Sequence, residues 1–160
     1  MNANTTFVVV DLETTGQSVT RGGRIIQIGM TFIKQRKIVD HFESFVNPGQ
    51  LIDRNIQQLT HITQKDVKNA PYFEELAPML QNILKNTVII AHNVNFDYPY
   101  LNEEFVRTGF EPLTADAIDT VQLAQILLPS APGYRLLDLT THLDITLNPV
   151  SYTHLTLPTN

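Results

Sequence analysis

Apolar residues enter this chain in two rhythms. Before residue 47 they come in short runs rich in β-branched residues and separated by turn formers; further on they recur at intervals of three and four. Phe7-Val8-Val9-Val10 is a compact apolar run closed at once by Asp11-Leu12-Glu13-Thr14-Thr15-Gly16. That is the pattern of a buried strand running out into a polar turn, with Asp11 and Glu13 at its exit. A loop containing Gly22-Gly23 leads to an extended stretch over residues 25–33. The basic turn Lys34-Gln35-Arg36-Lys37 separates it from a second stretch over 38–46, and Asn47-Pro48-Gly49 ends the pair, so the segment predicts an antiparallel hairpin.

The helical rhythm follows. Thr63-Gln64-Lys65-Asp66 predicts a short helix start, with Asp in the reciprocal capping position where Glu or Gln is preferred. Phe73, Leu76, Ala77, Leu80, Ile83 and Leu84 keep helical spacing and predict an amphipathic helix over 72–85, kinked at Pro78 because an interior proline removes a backbone bond. Val88-Ile89-Ile90-Ala91 predicts a second buried strand. Asn95 is placed to cap a helix running to Thr108, with Asp97 and Pro99 in its first turn. A brief strand over 117–119 and helices over 120–128 and 136–143 complete the pattern. A hairpin followed by strands alternating with helices predicts one α/β domain with a mixed sheet and flanking helices.

Composition narrows the chemistry. The 160 residues suit one domain with a real core, 42% being hydrophobic and 17% charged. No segment reaches the ~18 uninterrupted apolar residues of a membrane span, and no basic residue precedes an apolar run at the start, so a cytoplasmic protein is expected. The absence of cysteine excludes disulfides, thiolate catalysis and Cys-ligated zinc. A net charge of −5 argues against a duplex binder that neutralises many phosphates. It leaves open an enzyme that grips a phosphodiester through divalent cations, which need carboxylates and reverse the local charge.

Asp11 and Glu13 are two apart, so along a strand they share one side of the sheet. Converging carboxylates repel unless a cation lies between them, and hard oxygen ligands suit Mg²⁺ or Mn²⁺. A solvated strand end explains the same spacing, and Asp97 reads equally as an ordinary carboxylate near a helix start.

Taken together, the segments are more specific. Asp-x-Glu-Thr-Thr-Gly after a β-branched strand, with His-Asn-x-x-Phe-Asp beginning at His92 after another apolar strand, resembles the DnaQ-like (DEDDh) family of 3′–5′ exonucleases over residues 6–149. Residues 25–29 (IIQIG), 91–94 (AHNV) and 134–139 (YRLLDL) are most similar to the N-terminal exonuclease domain joined to DinG-type helicases. The resemblance implies a ribonuclease H-like fold. It also implies Asp11, Glu13 and Asp97 as catalytic ligands of two divalent cations, Mg²⁺ or Mn²⁺, hydrolysing phosphodiesters from the 3′ ends of single-stranded DNA or short RNA. Thr14, Thr15 and Gly16 would meet the terminal nucleotide, Phe96 would pack on its sugar or base, and His92 and Asn93 would line the site. Each has a structural alternative: turn capping for Thr15, core packing for Phe96, satisfaction of strand-end backbone groups for His92 and Asn93. His41 and His61 read as structural; where the family has Gly in a Thr-Gly-Ile-Thr-like turn, this chain has His61.

One part of the family pattern is missing. Its third motif is His followed five residues later by Asp, the general base and the fourth carboxylate. Two histidines have Asp five residues on: His92, whose Asp97 already belongs to the second motif, and His61, whose Asp66 lies ahead of the second motif and not after it; His142 precedes Asp144 by two, and Thr159 stands five after His154. The motif's expected place lies just past Pro149, where VSYTHLTLPTN (150–160) begins. This tail carries no charge and resembles a translated sequencing-adapter peptide, so the expectation is a C-terminally truncated domain, 1–149, followed by a non-native tail, 150–160. Loss of a general base costs ~10²–10⁴ in rate, which predicts an impaired chain from an active parent attached to a helicase, with apolar surface left bare by the missing last helix. A noncatalytic nucleic-acid-binding or partner-docking domain of the same fold, or a polymerase proofreading domain, are the competing readings.

Overall fold

A computed structural model describes residues 5–146. Residues 147–160 lie outside it, and with them the reading of a foreign tail. Five strands form one sheet in the order β3-β2-β1-β4-β5. Strand β1 (Thr6–Thr14) pairs antiparallel with β2 (Ile25–Lys34), which pairs antiparallel with β3 (Lys37–Phe45). Strands β4 (Thr87–Ala91) and β5 (Asp116–Asp119) add in parallel on the other side of β1. This is the mixed sheet the pattern predicts.

Alternation along β1 divides its side chains between two faces. Val8, Val10 and Leu12 face a core shared with Ile28, Met30 and Phe32 of β2 and Ile89 of β4. Helix α3 (Phe73–Leu84) contributes Phe73, Ala77, Leu80 and Leu84 to it, and helix α4 (Val94–Arg107) contributes Tyr100, Leu101 and Phe105. A second cluster of Ile26, Ile52, Ile62 and Val67 holds two short helices, α1 (Arg54–Thr60) and α2 (Gln64–Val67), beside the sheet. Asp66 accepts from Thr63 N at 2.7 Å, the reciprocal cap the sequence predicts. Helices α5 (Thr120–Leu127) and α6 (Leu136–His142) follow β5 and leave Leu123, Ile126, Leu127, Leu137, Leu143 and Ile145 exposed.

Three details differ from the sequence pattern. Strand β1 continues through Thr14, so Asp11 and Glu13 lie within it, opposite Gly29 and Gln27, instead of at its exit. Pairing with β2, which runs the full length, outweighs the turn preference of these polar residues. Helix α1 has no counterpart in the predicted elements. Helix α4 begins at Val94 behind Asn93, not behind Asn95, which moves Pro99 out of the first turn and into the helix body.

Candidate active site

The carboxylates are brought together where two parallel strands part. Strand β4 pairs with β1 only as far as Val9, opposite Ile90, so beyond that point β1 needs another partner for its backbone. Asp97, in the first turn of α4, fills the place: its Oδ1 accepts from Leu12 N at 3.2 Å. A carboxylate from α4 is thereby held against the peptide that joins Asp11 to Glu13.

Glu13 and Asp97 are both 6% exposed, whereas Asp11 is exposed. Burial pushes the Glu13 carboxyl up to about 8, and the charges of Asp11 and Asp97 add to the shift. Burial likewise pushes Asp97 up to about 8, with Asp11 and Asp119 adding to it and the Leu12 N–H working against it. The ion pairs of the described residues lie elsewhere, on Arg24, Arg107, Glu103 and Glu104. A cavity of about 80 Å³ opens here between Asp11, Glu13, Gln27, Gly29 and Glu43. Gln27 Nε2 donates to Glu43 Oε1 across it at 2.6 Å.

Two buried carboxylates without an ion pair among the described residues suit a hard divalent ion, whose charge would reverse the shifts. Among the described residues no three Asp, Glu or His side chains converge closely enough to ligate one ion together as they stand. An ion such as Mg²⁺ usually keeps several waters and takes one or two carboxylates, so it does not require three at once.

The remaining residues singled out in the sequence are held by internal bonds. Thr14 Oγ1 donates to Gly16 O at 2.6 Å. Thr15 Oγ1 accepts from Arg24 N and Gln50 Nε2, each at 2.9 Å, the turn-capping alternative. Gly16 O also accepts from the Tyr100 hydroxyl at 2.5 Å. His92 Nδ1 lies 2.9 Å from Thr120 Oγ1, the ring also bonds to the Tyr134 backbone, and burial lowers its pKa. Asn93 adopts φ 70°, and its N–H donates to Asp119 Oδ1 at 3.1 Å. Phe96 packs on the core, its ring 5.1 Å from that of Tyr100. His41 Nδ1 meets Thr31 Oγ1 at 3.1 Å, and His61 ends α1 at φ 58°, the left-handed conformation where glycine is favoured.

Asp119 was missed by the sequence reading. It is buried, and its Oδ1 takes both Asn93 N and Val121 N, the latter at 2.8 Å, so one carboxylate fixes the turn that launches α4 and caps α5. The local signal was an Asp-Thr pair ahead of an apolar helix. Its bond to Asn93, 26 residues away, has no local signal.

With this geometry in place, comparison with known proteins defines the class. The family model of the RNase T exonucleases matches residues 8–155, and the chain belongs to that exonuclease family, hydrolases of phosphodiester bonds. Among its relatives are the 3′–5′ exonuclease DinG of Bacillus subtilis, 36% identical over 87% of this chain and 15% of that protein, and a PolC-type DNA polymerase III of Oceanobacillus iheyensis, 39% identical over 89% and 10%. The chain thus spans a small fraction of either relative. A zinc-bound form of the Escherichia coli exonuclease I complex with single-stranded DNA shares the fold, with a TM-score of 0.75 and 20% identity over 86% of this chain and 35% of that one. No helix of the described residues is long and apolar enough to cross a membrane.

Proposed function

We propose that the domain hydrolyses phosphodiesters from the 3′ ends of single-stranded DNA or short RNA, as a module of a longer protein that carries a helicase. The observation that supports this is the buried pair Glu13 and Asp97: Asp97 is bonded to Leu12 N, next to Glu13 in β1, and neither carboxylate makes an ion pair among the described residues. A carboxylate burial of this kind is costly unless a cation completes it. Asp11, Glu13 and Asp97 would hold two Mg²⁺ or Mn²⁺ ions, which when bound supply the activation of water and the neutralisation of charge on the phosphoryl oxygens.

The protein's own part is positioning. Asp97 is anchored by Leu12 N, while Asn93, held by Asp119, sets the start of its helix. Thr14, Thr15 and Gly16, stiffened by bonds to Arg24, Gln50 and Tyr100, form a firm lip for the terminal nucleotide. The chain has two His-x₄-Asp spacings: His61 with Asp66, whose carboxylate caps α2 through Thr63, and His92 with Asp97, in which His92 is engaged by Thr120 and Tyr134. The proposed outcome is severe impairment as the chain stands.

A nuclease assay with Mn²⁺ on 3′-labelled single strands tests this. The expected result is release of mononucleotides by a longer parent that contains the third motif, loss of that release in Asp97→Asn, and ~10²–10⁴-fold slower cleavage by the 160-residue chain. An inactive parent would overturn the nuclease function, and full turnover by the chain would overturn the impairment.

A further inference from the structure

The end of the sheet remote from the carboxylates is basic. Asp11 stands opposite Gly29 on β2, and Lys34 lies five residues further along that strand, ~17 Å away at ~3.4 Å per residue. The turn between β2 and β3 places Lys34, Arg36 and Lys37 there. Lys85, at the end of α3, joins them: it stands two residues ahead of Thr87, which continues the row Lys34-Thr6-Thr87 across β2, β1 and β4. Four of the eleven Lys and Arg of an acidic chain thus gather at this one end.

Local preference does not account for the arrangement. Lys34 and Lys37 face each other directly across the hairpin, and like charges so placed repel. Both residues between them, Gln35 and Arg36, lie in the left-handed region at φ 50° and 63°, where Asn and Gly are favoured and a long side chain adds strain. All four cations are exposed, and none makes an ion pair among the described residues. The first carboxylate along β3, Asp40, accepts instead from His41 N at 2.8 Å. Lysine at a sheet edge also discourages pairing with another chain. That role needs neither an arginine on the strained turn nor Lys85, which leads into β4 on the far side of β1. A bound anion, by contrast, removes the repulsion between Lys34 and Lys37 and gives Arg36 a partner.

The spacing selects a polyanion. Neighbouring strands lie ~4.8 Å apart, so the row from Lys34 to Thr87 spans about 10 Å, and the cations line a rim instead of surrounding a point. A single carboxylate would meet one or two of them. Successive phosphates of a nucleic-acid backbone repeat on the scale of the whole rim and release counterions as they bind. At the carboxylates a polyanion is still repelled, and there the metal ions are needed. The rim adds attraction at the opposite end of the sheet, and two poles of opposite sign orient the domain on a strand.

We propose that the rim of Lys34, Arg36, Lys37 and Lys85 is an accessory site for the phosphate backbone of a nucleic-acid strand, holding nucleotides remote from the 3′ end at the carboxylates. Phosphate contacts carry no sequence information, so the site makes affinity depend on strand length and on salt. The proposal rests on the nuclease reading for the identity of its partner and extends it to a second, separate surface.

Binding tests this without requiring turnover. The chain is titrated in Ca²⁺ against 5′-fluorescein oligothymidylates of three and fifteen nucleotides, read by anisotropy. The wild type should bind the longer strand more tightly. The triple variant Lys34→Gln, Arg36→Gln, Lys37→Gln should weaken the longer strand about tenfold and leave the shorter unchanged. It should also lower the slope of log affinity against log salt by about two, which is ~0.7 per single-strand phosphate contact taken three times. Its melting temperature should hold or rise, because a like-charge pair is removed, and Arg36→Gly, which relieves the turn, should raise it while weakening the longer strand. If the wild type binds both lengths equally, or the triple variant changes neither strand or both alike, the accessory site is overturned and the nuclease reading stands. A fall in melting temperature would assign the cations to the fold and overturn the site as well. So would a triple variant that keeps its oligonucleotide affinity but loses attachment to vesicles containing phosphatidylserine, since the rim would then meet a lipid surface. If the wild type binds neither strand, the nuclease reading fails and the site with it.

Discussion

Glu13 and Asp97 hold their protons to about pH 8 in the folded chain, against ordinary values of 4.5 and 3.8. Folding therefore takes up protons between those limits. The stability these two groups contribute is complete below about pH 4 and is lost as the pH rises through 8. Without divalent ions, and with a chelator present, the melting temperature should fall between pH 6 and pH 8.5, and Glu13→Gln should flatten that fall. A melting temperature that stays level or climbs across this interval in the wild type would mean that the two carboxylates are not buried as charged groups. The acids at 11, 13 and 97 stand out in the sequence because their residue types and the motifs around them are local. Asp119 was not, since what it holds is a backbone group 26 residues away.

At the level of elements, α4 ties the site together. Its Glu104 is 1% exposed, accepts two bonds from Arg24, and accepts from Ile25 N at 3.3 Å. Removing Arg24 leaves that carboxylate buried with only the more distant Arg107, at 3.7 Å, so Arg24→Ala should destabilise the fold by about 3 kcal/mol in urea unfolding. A cost under about 1 kcal/mol would show that Arg107 or water replaces the lost partner. The reverse truncation at Glu104 strands only a partly solvated guanidinium and should cost less, because Arg24 is 25% exposed. The hairpin and α3 were readable because alternation and 3.6-residue spacing are strong along them. Helix α1 was not, since Arg54–Thr60 offers few apolar positions and packs through Ile56 against a cluster assembled from distant segments. The start of α4 was misplaced by two residues because Asn93 and Asn95 are both plausible caps. The choice between them is made by the positive φ of Asn93 and its bond to Asp119, neither of which periodicity carries.

Across the whole molecule, an acidic chain of net charge −5 meets a polyanionic substrate class, and the opposition is resolved only if cations gather where the carboxylates are buried. The mixed sheet supplies that place by ending β4's pairing early and letting a helix from the far side of the core complete β1. The most direct test is a calorimetric titration of Mn²⁺ into the chain at pH 7.5, repeated with Glu13→Gln and Asp97→Asn. The account predicts binding that releases protons, since ligands with pKa values near 8 must give them up, and a loss of affinity of at least about tenfold in each variant. Equal affinity in all three proteins, or no proton release on binding, would contradict it.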